Sequence, residues 1–240
     1  MQDGLETLST PEYWDGIWEN QAASFLAEGG ADPVIDLQWA LFSRFMAPDP
    51  TKKLVEIGCA HSRWLISMRR RFGYEVHGID YSEVGCRSMS QALAAADFDL
   101  GGKIHCRDIL GDLTDLAGSF DYVTSFGVIE HFKDPVAILA RFALLLRPGG
   151  MVLTSIPNTA GAYFGLYRIL DRSIYDMHEI IDVSRLRHVH DDAGLQVEYC
   201  AYNGFFNPGL LTSAKPSWMR RVVLLSGRAI CRLTWPLAKR

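Results

Sequence analysis

The sequence has few cysteines, and none of them forms a pair at the spacing of a metal or redox motif. Its five cysteines lie far apart, at positions 59, 86, 106, 200 and 231, without a C-x-x-C pair. This argues against a disulfide framework and a cysteine-bound zinc site, and it is typical of a reducing compartment. The first six residues lack the basic and apolar regions of a secretory signal, so we expect a cytoplasmic protein.

Acidic residues are missing from the end of the chain. Residues 199–240 contain no Asp or Glu but seven Lys and Arg, whereas the preceding residues carry 17 basic and all 28 acidic side chains. A basic end on an acidic body predicts an anionic partner there, with a solvated helix face as the alternative. Because the body is acidic, a nucleic acid is not the expected substrate.

Long apolar runs are absent too. The segment 217–235 is typical of a helix, in which Arg221, Arg228 and Arg232 share one face. Arginine interrupts it too often for a membrane span. Docking of this basic helix to the inner face of an anionic membrane, where a lipid-like acceptor resides, stays open.

The middle of the chain alternates between strand and helix patterns. Strands are predicted over residues 54–57, 75–79, 104–106, 122–125, 151–156 and 197–202. Helices are predicted between them and over the aromatic-rich first 50 residues. This alternation predicts a single α/β domain with a doubly wound, mostly parallel, Rossmann-like sheet and N-terminal helices. A helical, aromatic-rich insertion is expected after the fifth strand.

The segments of this domain have separate expected roles. We expect an N-terminal helical lid (1–50), a cofactor-binding core (51–157), a substrate insertion (158–182), the end of the core (183–205) and a basic helical tail (206–240). A final antiparallel strand is not identified for the sheet edge, because the tail is predicted to be a helix. Pairing of that edge with a second subunit would make a homodimer.

Three of the predicted strands end at or near an acid. Glu56 lies near the end of the apolar run at 54–57, and Asp80 and Asp108 follow the runs at 75–79 and 104–106. Carboxyl ends of parallel strands meet at one edge, and ligands bind there in open α/β sheets. Such a row of acids suits a ligand with an amino group, a ribose diol and an exocyclic adenine amine, as in S-adenosylmethionine.

The order of these motifs resembles that of class I S-adenosylmethionine-dependent methyltransferases, over roughly residues 50 to 205. Leu-Val-Glu-Ile-Gly-Cys-Ala (54–60) resembles the first family motif, His-Gly-Ile-Asp (77–80) the second and Arg-Asp (107–108) the third. Residues 120–131, which end in Glu-His, followed by Leu-Arg-Pro-Gly-Gly (146–150), resemble the fourth and fifth. The last pair is similar to the branch of ubiquinone-biosynthesis O-methyltransferases and other small-molecule methyltransferases.

The resemblance implies a role for each matching residue. Glu56 and the loop Gly58, Cys59 and Ala60 would hold the amino acid end of the cofactor, where close backbone approach needs small side chains. The other implied contacts are Asp80 to both ribose hydroxyls, Asp108 to the adenine amine, Tyr81 and Ile109 against the adenine ring, and Ser125 and Phe126 along the methionine side.

The first loop departs from the family pattern. Ala60 stands at the second glycine and Ser62 near the third, with the bulkier His61 and Arg63 beside them. A left-handed conformation at Ala60 would be disfavoured. The rival interpretation is dinucleotide binding, but of the G-x-G-x-x-G/A set only Gly58 is a glycine. Asp108 and the motifs that follow it favour the methyltransferase.

Two histidines are the catalytic candidates. Methyl transfer is an in-line displacement, and an oxygen acceptor needs a base, for which histidine is the usual choice. His131 follows the fourth strand beside Glu130, and His178 lies in the insertion. The structural alternative for His131 is to brace the following helix. The structural alternative for His178 is an exposed loop histidine. His188 and His190 do not share a helix face, and we expect no metal.

The expected function is therefore transfer of a methyl group from S-adenosylmethionine to a hydroxyl, or less readily an amine, of a small molecule that is partly apolar or anionic. Tyr13, Trp14 and Trp18 would form a lid over the cofactor, where an aromatic face attracts a sulfonium, or would pack in the core. The alternative function is a non-catalytic cofactor-binding scaffold or sensor whose basic tail docks to a membrane or partner.

Overall fold

A parallel five-stranded sheet forms the centre of the fold. The computed structural model describes residues 6–21, 24–27, 33–96, 104–161 and 164–203. The strands are β1 (Lys53–Ile57), β2 (Glu75–Asp80), β3 (Ile104–Cys106), β4 (Phe120–Phe126) and β5 (Leu146–Ser155), in the order β3-β2-β1-β4-β5. All their pairings are parallel. The order reverses beside β1, which makes the carboxyl end of β1 the switch point where such sheets bind ligands.

Helices precede the sheet and link its strands. They are α1 (Pro11–Asn20), α2 (Pro33–Phe45), α3 (Trp64–Phe72), α4 (Glu83–Ala95), α5 (Pro135–Leu145), α6 (Tyr167–Leu170), α7 (Arg172–Asp176) and α8 (Val183–Asp192), with 3₁₀ turns at Ile129–His131 and Phe164–Leu166. The predicted N-terminal helices and the helical insertion after the fifth strand are confirmed. Local signals set several boundaries: Asp134 caps α5, which begins at Pro135, and Gly73 ends α3 at φ 81°.

The hydrophobic core has two layers, one on each face of the sheet. Neighbouring residues of β1 point to opposite faces, so Leu54 packs with α2, α3 and α4 while Val55 packs with α5 and α8. The central strands β1, β2 and β4 are mostly buried, whereas no residue of the edge strands β3 and β5 is fully buried. Helices on both faces confirm the doubly wound architecture.

The strand predicted over residues 197–202 is wrong. Residues 199–203 have no regular secondary structure and lie on the surface, with Tyr199 and Tyr202 42% and 59% exposed. Side-chain contacts hold the segment against α2: Tyr199 packs on Phe45, and Asn203 donates a hydrogen bond to Gln38. These contacts replace a strand ladder, so the apolar alternation there reflects side-chain packing. The predicted basic tail lies outside the described residues.

Candidate active site

A cavity of about 340 Å³ opens at the carboxyl ends of β1, β2 and β4. Its walls include all three predicted acids, Glu56, Asp80 and Asp108. The strands bring these side chains together because β1 pairs in parallel with β2, and β2 with β3. The predicted row of acids therefore exists as one wall of a single cavity.

Glu56 is a buried acid at the end of β1. Its side chain accepts a hydrogen bond from Ser62 Oγ at 2.8 Å and is 2% exposed. Burial raises the pKa of Glu56 to about 8, although the Ser62 hydrogen bond acts in the opposite direction. At neutral pH the carboxyl is therefore mostly protonated, and an incoming ammonium group would favour its ionised form.

Asp80 organises the backbone around the cavity. Its Oδ2 accepts from the Ala60 amide and its Oδ1 from the Ser82 amide, both at 2.9 Å. The carboxyl is 6% exposed, and burial raises its pKa above the usual value despite these hydrogen bonds. Each oxygen keeps a second lone pair, so Asp80 can fix the loop after β1 and still accept from a ligand hydroxyl.

The loop after β1 uses left-handed backbone at two positions. Gly58 has φ 73° and His61 has φ 51°, whereas Ala60 does not adopt positive φ. The substitution of alanine for the family glycine therefore meets no conformational obstacle at Ala60. Gly58 lies so close to Val128 that a Cβ would stand 2.4 Å from Val128 Cγ2. Gly58 is therefore required for packing against Val128, and the predicted close approach of this loop to the cofactor stays a prediction.

The other predicted cofactor residues divide into two groups. Tyr81, Asp108, Ile109 and Phe126 line the cavity together with Gly58 and Ala60. Asp108 is exposed and accepts from the Leu110 amide at 2.9 Å. Cys59 and Ser125 are not among the lining residues: Cys59 is fully buried with its sulfur against Gly78, and Ser125 is 1% exposed.

The aromatic N-terminal helix closes one side of the cavity. Trp14 and Trp18 line it and stack on each other with centroids 5.5 Å apart, whereas Tyr13 is not a lining residue. Ser9 ties this wall to the sheet, because its hydroxyl accepts from Trp14 Nε1 at 3.0 Å and lies 3.3 Å from the Tyr81 hydroxyl. Of the two interpretations of these aromatics, Trp14 and Trp18 fit a wall of the cavity.

The two candidate catalytic histidines lie next to each other. His131 lines the cavity, and its ring centroid lies 4.3 Å from that of His178. Burial lowers the pKa of His131 to about 3, and His178 adds to that effect; burial also lowers the pKa of His178. Both rings are therefore neutral at pH 7. His178 reaches this place from 47 residues further along the chain through the insertion.

Sequence reasoning missed three contributors to the site. Ser62 is the hydrogen-bond partner of Glu56, and Asp15 of α1 accepts from Ser82 Oγ at the start of α4. Glu130 is fully buried, and burial raises its pKa to about 8. The sequence shows Ser62 only as a departure from the glycine pattern of the first loop, and Asp15 belongs to no local motif. Glu130 does carry a signal, since an acid in a run of apolar residues needs a reason for burial.

His188 and His190 lie apart from this site. His190 Nε2 is 2.9 Å from Thr154 Oγ1, and His188 is exposed on α8. Each ring also donates from Nδ1 to a backbone carbonyl of its own helix.

In the part of the chain that the structure describes, no helix is both long and apolar enough to span a membrane.

Comparison with known proteins identifies the family. The profile of a family described as "Methyltransferase domain" matches residues 35–204. Two curated relatives are ubiquinone biosynthesis O-methyltransferases: that of Acinetobacter baylyi is 32% identical over 61% of this chain, and that of Cupriavidus pinatubonensis is 31% identical over 61%. The matches cover 64% and 61% of those relatives, which is less than two thirds of their length.

A solved structure agrees at the level of fold. The geranyl diphosphate C-methyltransferase of Streptomyces coelicolor superimposes with a TM-score of 0.63 over 91% of this chain and 93% of its own, at 13% identity. That identity supports a shared fold and nothing finer. The family profile, by contrast, spans the sheet, the three acids of the cavity and both catalytic candidates. The chain therefore belongs to the methyltransferase-domain family, as the order of its motifs predicted.

Proposed function

We propose that this protein transfers a methyl group from S-adenosylmethionine to a hydroxyl of a small molecule. The observation that carries the proposal is the single cavity in which Glu56, Asp80 and Asp108 meet at the carboxyl edge of the sheet. When bound, the cofactor supplies an activated methyl carbon, which passes to the acceptor oxygen as its C–S bond breaks, giving a methyl ether, S-adenosylhomocysteine and a proton.

The described residues fit this cofactor. Glu56 is a buried carboxyl with one hydrogen bond, and an ammonium group would compensate for its burial. Asp80 has acceptor capacity left for ribose hydroxyls, and the exposed Asp108 can accept from an exocyclic amine. Tyr81 and Ile109 supply apolar surface for a purine between those two acids.

The acceptor would bind beside the aromatic lining residues around His131. His131 and Phe132 line the cavity, and Trp14 meets the His131 ring edge-on with centroids 5.4 Å apart. These aromatic and apolar surfaces favour a partly apolar acceptor. His131, which lines the cavity, and His178 beside it stay the candidate groups to act on its hydroxyl.

Titration calorimetry with S-adenosylhomocysteine tests the cofactor first. We expect micromolar binding by the wild type, loss of binding in Asp80→Ala, and a weaker effect in Asp108→Ala, which removes an exposed side chain. Asp112→Ala is the matched control, because Asp112 is an exposed acid that does not line the cavity. Thermal melts of each variant separate loss of binding from loss of folding.

A second titration and an acceptor screen distinguish a methyltransferase from a dinucleotide enzyme and from a non-catalytic scaffold. Binding of NAD in place of S-adenosylhomocysteine would overturn the proposal in favour of a dinucleotide enzyme. Cofactor binding without transfer of labelled methyl groups to any hydroxyl or amine acceptor would favour the non-catalytic scaffold. The basic tail stays a candidate for contact with an anionic acceptor or membrane because of its charge. A second subunit stays a candidate partner for the edge of the sheet.

A further inference from the structure

Three side chains that could coordinate a metal ion converge at the edge of the cavity. Glu130 and His131 lie on the 3₁₀ turn after β4, and His178 follows α7. One potential ligand atom from each lies within 4.8 Å of the other two. Within the described ranges, no other group of at least three His, Cys, Asp or Glu side chains satisfies this criterion.

The side chain of Glu130 has no hydrogen-bond partner in the described structure. Its side chain is 0% exposed, and neither carboxylate oxygen makes a hydrogen bond. Gly127 leaves room beside it, since a Cβ there would lie 3.5 Å from Glu130 Oε1. A buried carboxylate is costly unless it is paired or coordinates a metal, so a cation at this position would stabilise the ionised form of Glu130.

Both imidazoles keep the Nε2 lone pair available for a metal ion. His131 Nδ1 lies 2.8 Å from the Met177 carbonyl oxygen, and His178 Nδ1 lies 2.7 Å from that of Ile174. A carbonyl can only accept, so Nδ1 carries the proton in both rings and Nε2 keeps its lone pair. Metal-binding histidines are oriented in this way, with the second ring nitrogen donating to a carbonyl or carboxylate.

We propose that Glu130, His131 and His178 bind one divalent transition-metal ion, such as Zn²⁺, Mn²⁺ or Co²⁺. Two imidazoles and one carboxylate suit these ions better than Mg²⁺ or Ca²⁺, which prefer oxygen ligands. One carboxylate leaves a net charge of +1 and open coordination positions. Bonds of about 2.0–2.2 Å require the three ligand atoms to approach each other by roughly 1 Å through side-chain rotation.

The role of this ion rests on the proposed function. Because His131 also lines the cavity, the ion would lie beside the acceptor hydroxyl. As a Lewis acid it would stabilise the oxygen while the hydroxyl proton leaves to water, so neither neutral imidazole needs to act as the base. This replaces the sequence-based expectation that the site contains no metal.

Metal binding is tested on the full chain after removal of metal with a chelator. Calorimetric titration with Zn²⁺, Mn²⁺, Co²⁺ and Mg²⁺ is expected to give one site per chain for the transition ions and much weaker binding of Mg²⁺. Bound Co²⁺ should show visible absorption bands that report its ligands. Glu130→Gln and His178→Ala should each weaken binding more than about 100-fold, since loss of an outer-shell partner alone costs about 10–100-fold.

His188→Ala is the matched control, because it removes an exposed histidine away from the cluster. It should bind the ion like the wild type. Zn²⁺ should raise the melting temperature of the wild type and of His188→Ala but not of Glu130→Gln, which keeps the shape of the side chain. Because each protein is compared with and without Zn²⁺, the shift in melting temperature is informative even if a variant is less stable.

Two results would overturn the metal site: no bound ion in a wild-type protein that binds S-adenosylhomocysteine, or unchanged affinity for the ion in both Glu130→Gln and His178→Ala. Failure of the proposed function has a different signature, namely stoichiometric binding of the ion without binding of S-adenosylhomocysteine. Because the first assay detects the ion and the second the cofactor, the two failures cannot be confused.

Discussion

At the scale of single residues, Glu56 combines burial with a titratable group that faces the cavity. Its pKa of about 8 means that the free protein holds a proton at neutral pH. An ammonium group beside it favours the carboxylate and lowers that pKa. Binding of the cofactor below pH 8 therefore releases a proton, and affinity rises with pH up to that value.

We expect the affinity for S-adenosylhomocysteine to increase between pH 6 and pH 8, by at most about tenfold per pH unit, since one proton is involved. Calorimetry in buffers of different ionisation enthalpy measures the proton release directly. In Glu56→Gln that release should disappear while titration of the ligand's own amino group stays. Equal proton release in wild type and Glu56→Gln would contradict this role of Glu56.

Gly58 is required for two separable reasons, its positive φ of 73° and its contact with Val128. Gly58→Ala should lower the free energy of unfolding by about 1–2 kcal/mol from the left-handed conformation, and by a further ~1–3 kcal/mol from overpacking. Gly118→Ala isolates the first cost, because Gly118 has φ 64° with nothing within 4 Å of a Cβ. Urea unfolding measures both, and equal losses would rule out the clash.

At the scale of secondary structure elements, one acid links α1 to the amino end of α4. Asp15 accepts from Ser82 Oγ and from the Val84 amide at the amino end of α4. The unpaired amides and the dipole of a helix favour a negative charge at that end. The same contact places Trp14 and Trp18 over the cavity, so an ion–helix contact outside the cavity supports one of its walls.

Asp15→Ala should therefore loosen α1 without disturbing the sheet. We expect faster amide hydrogen exchange confined to α1 and several-fold weaker binding of S-adenosylhomocysteine. Glu12→Ala changes an exposed acid of the same helix and should leave both measurements unchanged. Faster exchange throughout β1 and β4 in Asp15→Ala would show that the contact is needed for global stability instead.

At the scale of the whole molecule, the two ends of the sheet have different tasks. The carboxyl end forms the cavity, whereas Asp121 at the amino end ties three strands together. It is 4% exposed and accepts from the Lys53 amide at 2.7 Å, from Lys52 Nζ at 2.9 Å and from Arg147. Lys52 and Arg147 are both 39% exposed, so water screens much of their charge.

Asp121→Ala should lower the free energy of unfolding by about 1–3 kcal/mol, mainly because the Lys53 amide loses its partner. Urea unfolding measures this loss, and titration of the same sample should show unchanged affinity for S-adenosylhomocysteine. Asp115→Ala breaks an exposed ion pair with Arg107 and should lower the free energy of unfolding much less, because water screens the pair. A large loss of affinity in folded Asp121→Ala would show that the two ends are coupled.

Much of this architecture follows from local patterns. Buried parallel strands are rich in apolar residues, so β1, β2 and β4 were predictable. The acids at or after the ends of β1, β2 and β3 meet because parallel strands share one carboxyl edge. The segment 197–202 shows where the pattern fails. An apolar alternation can equally be satisfied by packing on a helix surface, as Tyr199 does on Phe45.

The sequence by itself determined the alternation of strands and helices, the family and the row of Glu56, Asp80 and Asp108, because each depends on residues close together in the chain or on the fixed geometry of a parallel sheet. Only the tertiary structure decided that His178 meets His131 and Glu130, and that Trp14 and Trp18 line the same cavity. Those contacts join segments far apart in the chain, and their geometry depends on how the insertion and α1 pack.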